Sequence, residues 1–249
     1  MLLRPRHSGC ITPQPLQEIC EQHGIEFLAG LELTCEWRGR EVHVVGLGVN
    51  DADPSLRDHC STVLGLRRER IREIARRLTA AGLPGDSLAE QALSAGAPTR
   101  THVARAMLAA GLVTTTQRAF DRWLKRGQPG YVAQPWPEVA TVVRGVTDAG
   151  GIAVLAHPHR YKVSNGVLRE LVGEFREAGG GGIEVSLPGM APADADRAAT
   201  LARRFDLAGS MGSDFHEPGL PWRPLGRLDK LPEGVRPITA HLCCFNGRS

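Results

Sequence analysis

The sequence predicts an α/β protein interrupted by an all-helical insertion, and three observations carry that prediction. From residue 137 onward, short apolar segments with strand character alternate with amphipathic segments of helical period. Between 51 and 130 apolar residues recur at helical spacing only. Two further strand-like apolar segments precede that block.

The elements follow in order. Residues 15–23 have helical character, with Leu16, Ile19 and Cys20 on one face and Gly24 as the stop. Segments 25–33 (IEFLAGLEL) and 42–49 (VHVVGLGV) each predict a buried strand, with Arg38-Gly39-Arg40 as a turn between them. In the helical block, Leu64, Ile71, Ile74, Ala75 and Leu78 share a face and Gly82 ends the run. Thr101 is placed to cap a helix through Met107 that stops at Gly111. Thr114 to Thr116 open another, with Phe120, Trp123 and Leu124 inward and Gly127 as the stop. After that come a helix at 137–148, a strand at 151–156 (GIAVLA), a helix at 168–178, a strand at 182–187 (GIEVSL), a helix at 191–204 and a strand from 207 into SDFH. Alternation of this kind argues for parallel strands with helices outside. The expected division is a discontinuous α/β domain at 1–50 and 131–240, a helical insertion at 51–130 and a tail at 241–249.

Composition narrows the function classes. A net charge of +3 across 249 residues is too small to argue for nucleic acid on charge alone, and no DNA-binding module is evident. Lys125, Lys162 and Lys230 are the only lysines, so the cationic groups are nearly all guanidinium. The run Arg67, Arg68, Arg70, Arg72, Arg76 and Arg77 reads as a solvated helix face with Glu69 and Glu73 as partners. The six cysteines form no C-x-x-C pair, which predicts reduced thiols in a cytoplasmic protein. The opening MLLRPRHSG is too short and polar for a secretion signal, and no apolar run reaches membrane-spanning length. Oligomeric state is not legible.

Chemistry concentrates where apolar segments meet ligand-type side chains. His157 follows Ile152 to Ala156 directly, at the strand end where α/β proteins bind ligands, and Arg160 lies close enough to face the same site. Asp214 and His216, in GSDFH, end another apolar segment; on an extended stretch D-x-H projects both side chains to one side, as a metal clamp requires. Glu32 and His43 interrupt the two early strands. A carboxylate among Phe27, Leu28, Leu31 and Leu33 is costly to bury unless a cation or solvent meets it. Together the four sites predict a shared metal centre.

The segments AGLELT, EVHVVGL, AVLAHPHRY and GSDFH, in that order, resemble the later motifs of the PHP (polymerase and histidinol phosphatase) phosphoesterases. PTRTHVAR (98–105) and KRGQPGYV (125–132) are similar to the branch of nucleoside 3′,5′-bisphosphate phosphatases and 5′-to-3′ exoribonucleases. The resemblance implies a distorted β/α barrel of about seven strands with a helical insertion and up to three divalent metals, manganese, iron or zinc. By the same resemblance Glu32 would bridge two metals. His43 and His157 would complete the second, Asp214 would bind the first and His216 the third. Arg100, His102 and Arg160 would contact substrate phosphate.

That family begins with H-x-H and S-D-G motifs and then a T-D-H-D segment. RPRHSG (4–9) stands as a remnant of the last, with His7 for its histidine and Arg6 and Ser8 at its aspartates; the first two motifs do not occur ahead of it. The expectation is therefore an N-terminally incomplete barrel, from a misassigned start or an upstream truncation, holding fewer than three metals. The expected activity is hydrolysis of phosphate esters of nucleotides or of RNA 5′ ends. The alternative is an inactive or weakly active protein that binds nucleotide without catalysis.

Overall fold

The computed structural model describes the backbone of residues 2–3, 6–7, 14–214 and 230–242, and the side chains of 17–214 and 230–241. The chain divides into two compact units: residues 1–7, 11–57 and 137–249 form one, and 8–10 with 58–136 the other.

The first unit is built on a mixed sheet. Its strands are β1 (Leu2–Leu3), β2 (Arg6–His7), β3 (Phe27–Leu28), β4 (Gly30–Trp37), β5 (Arg40–Leu47), β6 (Ile152–Leu155), β7 (Gly182–Ser186) and β8 (Ala208–Met211). Among the described residues six of them form one sheet in the order β2-β4-β5-β6-β7-β8, while β1 pairs with β3. The later strands β6, β7 and β8 are mutually parallel, as their alternation with helices predicts. The two early strands and the turn between them are where the sequence places them, but the strand bounds differ. The predicted 25–33 run leaves Ile25 exposed and continues to Trp37. It then folds back on β5 as an antiparallel hairpin, and β5 is antiparallel to β6 as well. The cause is the turn: Arg38 (φ +48) and Gly39 (φ +75) are both left-handed, the two-residue geometry whose twist matches the flanking strands.

The two sheet faces follow strand parity. Leu33, Val44, Leu155 and Ile183 are fully buried on one side, and the unit carries three long helices, α6 (Val139–Asp148), α7 (Asn165–Glu177) and α8 (Pro192–Arg204). Helix α6 lies on β4, β5 and β6 and packs against α7, and α8 lies on β7 and β8. The opposite, inner face carries an apolar cluster of Val45, Leu47, Val154, Ala156, Ala208 and Ile238, with polar Glu32, Thr34, Ser186 and Ser210 also buried in the unit. Helix α1 (Gln14–Gln22) leads into this unit, and α9 (Thr239–Leu242) follows it.

The second unit is helical. Most of α2 (Pro54–Ala80) belongs to it, with α3 (Gly85–Leu93), α4 (Arg100–Ala109), α5 (Thr116–Ala119) and a π-helical turn at Phe120–Leu124. Ile71, Ile74, Leu78, Leu88, Val103, Met107 and Leu124 form its core. Two local readings change. The cap of α4 is Thr99, not Thr101. Arg67 and Arg70 are buried rather than solvated, both stacked on the Trp136 ring, because long side chains cover aromatic surface as readily as they reach water. Arg76 and Arg77 do pair with Glu73. No helix among the described residues is long and apolar enough to cross a membrane. Cys20, Cys35 and Cys60 are buried and engaged in no disulfide.

Candidate metal centre

The hairpin delivers two of the predicted ligands. In its register Glu32 opposes Val45 and Thr34 opposes His43. Directly opposed residues project to one side, so the carboxylate and the imidazole share the inner face. His43 Nδ1 lies 2.7 Å from Glu32 Oε1. His157 completes the group: its Nε2 is 3.2 Å from the same oxygen and 3.2 Å from His43 Nδ1. Glu32 and His157 are buried and His43 is partly so.

These three residues fit a divalent cation on three counts. Their donor atoms all lie within 4.8 Å of one another, and a triangle with the sides above has a circumradius of about 1.8 Å, close to ordinary metal–ligand distances. The donor set mixes carboxylate and imidazole without thiolate, which suits manganese, iron or zinc. The site also gathers carboxyl groups, with Glu184 and Asp214 near Glu32. Glu184, passed over in the sequence as part of a strand, has its carboxyl raised from its ordinary 4.5 to about 8, by burial first and then by Glu32 and Asp214, against the hydrogen bond from the His157 N–H and the Arg160 charge. Burial works against a charged His43, yet hydrogen bonds to Glu32 and Glu41 outweigh it and lift that imidazole to about 9. The Nδ1 of His157 is buried with no hydrogen-bond partner among the described residues.

Asp214 departs from expectation. Strand β8 ends at Met211, and Asp214 itself is left-handed (φ +48) rather than extended. Its Oδ2 accepts from Arg160 Nη1 at 2.5 Å, pairing a predicted metal ligand with a predicted phosphate contact. His216 lies outside the described residues. The backbone of His7 is in register with Glu32; its side chain lies outside the described residues. Arg100 opens α4 in the helical unit, and His102 there binds the Thr99 amide and hydroxyl through Nδ1, forming a capping box. Burial, then Arg105 and Arg67, lower the His102 pKa.

Two residues near the ligands were not singled out from the sequence. Tyr161 accepts the His43 N–H at 2.9 Å and donates to the Ala156 carbonyl at 2.9 Å. Glu184 accepts the His157 N–H at 2.5 Å. The available signal for Glu184 was the one used for Glu32, a carboxylate inside an apolar strand.

No family model matches the sequence. It is 37% identical over 223 residues to the 3′,5′-nucleoside bisphosphate phosphatase of Chromobacterium violaceum, covering 89% of this chain and 78% of that protein. It is 36% identical over 215 residues to a 5′-3′ exoribonuclease of Haemophilus influenzae, covering 86% and 78%. A solved structure of an amidohydrolase from Chromobacterium violaceum, with bound sulfate and no metal, matches with a TM-score of 0.87 at 33% identity, over 97% of this chain and 84% of that one.

Proposed function

Because this chain belongs to the PHP family of phosphoesterases, together with the bisphosphate phosphatase and the exoribonuclease that it matches, we propose that it hydrolyses nucleoside 3′,5′-bisphosphates or the 5′ ends of short RNA in a metal-dependent reaction. The chain is a hydrolase acting on phosphate esters. The observation that carries the metal-dependent reading is the convergence of Glu32, His43 and His157 on one point of the inner sheet face. We read the sheet as part of a distorted seven-stranded barrel, and the setting as the cytoplasm, where nucleotides and RNA ends turn over.

Glu32, His43 and His157 would hold the ion, with Asp214, His216 and His7 as further ligands in the proposal. What a divalent cation supplies in such a site is Lewis acidity toward phosphoryl oxygens and toward water. The chain's own residues do the rest. The Arg160 guanidinium presents a planar fork suited to phosphate oxygens, and its pairing with Asp214 keeps it at the site before substrate arrives. Arg100 and His102 are assigned to substrate phosphate on the sequence motif alone. Tyr161 and Glu184 hold the backbones of the two imidazole-bearing residues.

The test uses the purified chain loaded in turn with manganese, iron and zinc. Phosphate release is measured from adenosine 3′,5′-bisphosphate, and mononucleotide release from a short 5′-labelled RNA. At least one metal should support turnover of at least one substrate. Metal content below one per chain, with no release from either substrate under added manganese, would leave a protein that at most binds nucleotide.

A further inference from the structure

We infer that Glu184 is the positioning residue for His157: by accepting the His157 backbone N–H it holds a left-handed turn that lets the imidazole face Glu32 and His43. The inference rests on the metal-dependent reading of the site.

Strand parity poses the problem that Glu184 solves. Val154 opposes Val45 across the β5–β6 pair, so Val154 and, two residues on, Ala156 belong to the inner face with Glu32 and His43. A strand continued regularly through 157 would turn the next side chain to the outer face. His157 instead adopts φ +29 and ψ +57, and its Nε2 reaches Glu32 and His43. The left-handed region is disfavoured for a residue with a Cβ. Such a conformation persists only where its surroundings over-determine it.

The surroundings are visible. The His157 carbonyl accepts the Arg160 N–H at 3.0 Å, and the Ala156 carbonyl accepts the Tyr161 hydroxyl at 2.9 Å. The amide between those carbonyls donates to Glu184 Oε2 at 2.5 Å. Glu184 stands on β7, two positions beyond Gly182, which pairs with Val154; its side chain therefore shares the inner face. His157 is buried, so its N–H has little access to water as a substitute acceptor. With Glu184 removed, the turn loses the contact that fixes its amide, and the ring is free to leave the cluster.

The test compares wild type, Glu184→Gln and Glu184→Leu in the full chain by two readouts. Manganese(II) alone is titrated, with the free ion followed by electron paramagnetic resonance, and the His157 amide is followed by NMR. Loss of a residue that orients a metal ligand typically weakens binding by about ten- to a hundred-fold. That loss is expected for Leu, whereas Gln, which keeps an oxygen acceptor, should stay within roughly three-fold of wild type. The His157 amide should be shifted downfield and protected from exchange in wild type and Gln, and lose both properties in Leu. Wild-type affinity in Leu overturns the inference. So does a Gln variant as weak as Leu, since the charge and not the acceptor would then matter. If wild type takes up no manganese, the amide signals decide the inference, and the metal reading fails separately only if iron and zinc are not taken up either. If Leu does not fold, an exposed-type His157 amide in wild type or Gln overturns it, and a protected amide in both supports it.

Discussion

Arg160 and Asp214 are locked together, Nη1 to Oδ2 at 2.5 Å, with the Asp214 side chain only 11% exposed. The guanidinium thus sits beside the carboxylates of the site before any phosphate is present. Arg160→Ala should lower phosphate release by on the order of a hundred-fold or more, the scale of losing one preorganised charge donor. Arg160→Lys should recover only part, because a point charge cannot reproduce a planar fork. Full activity in the Ala variant would remove Arg160 from the site.

Glu32 contributes the one oxygen that both imidazoles approach. Glu32→Ala should therefore reduce bound metal well below wild type by elemental analysis. Metal should also stabilise the wild-type chain, by about 2.7 kcal/mol at a hundred-fold excess over its dissociation constant, and Glu32→Ala should abolish that gain. Equal metal-dependent shifts in Tm for both proteins would count against the centre.

Without metal, stability should fall as pH rises from about 6.5 to about 9. His43 has its pKa raised from 6.5 to about 9 in the fold, so its contribution is whole below about 6.5 and is lost as pH climbs through about 9. Glu184, raised from 4.5 to about 8, acts in the same direction: the fold favours its protonated form, and that contribution is lost as pH rises through about 8. Metal affinity should show the opposite trend, since a cation must displace the His43 proton. Thermal unfolding in chelator across this range is the measurement; a flat or rising Tm would contradict both assignments.

Gly180 follows α7, where a Cβ would come within 2.1 Å of the Phe175 ring. Phe175 is among the largest fully buried side chains. Gly180→Ala should cost about 1–3 kcal/mol through overpacking, seen as a lowered Tm with metal stoichiometry unchanged. Wild-type stability would mean that the ring moves aside freely.

The later half of the fold was legible because each strand there is a short apolar run between amphipathic helices with clear stops, as at 182–187 and 191–204. The early hairpin was less so. TCEW looks polar next to IEFLAGLEL, yet Cys35 and Trp37 are buried, and strand direction depends on turn conformation more than on hydropathy. Glu32, His43 and His157 were readable as polar residues inside or ending apolar runs. Glu184 carried the same mark but belonged to no recognised motif. The Arg160–Asp214 pair could not be read from spacing, because 54 residues separate the two.

The antiparallel β5 also bears on how the centre is assembled. Glu32 and His43 are eleven positions apart, whereas His43 and His157 are separated by 114. Closing the longer loop costs about 2 kcal/mol more in chain entropy. The first two donors therefore meet as soon as a local hairpin forms, and the third arrives only when the distant half of the domain docks. A cation bound by all three rewards that late docking, so occupancy should slow unfolding more than it speeds folding.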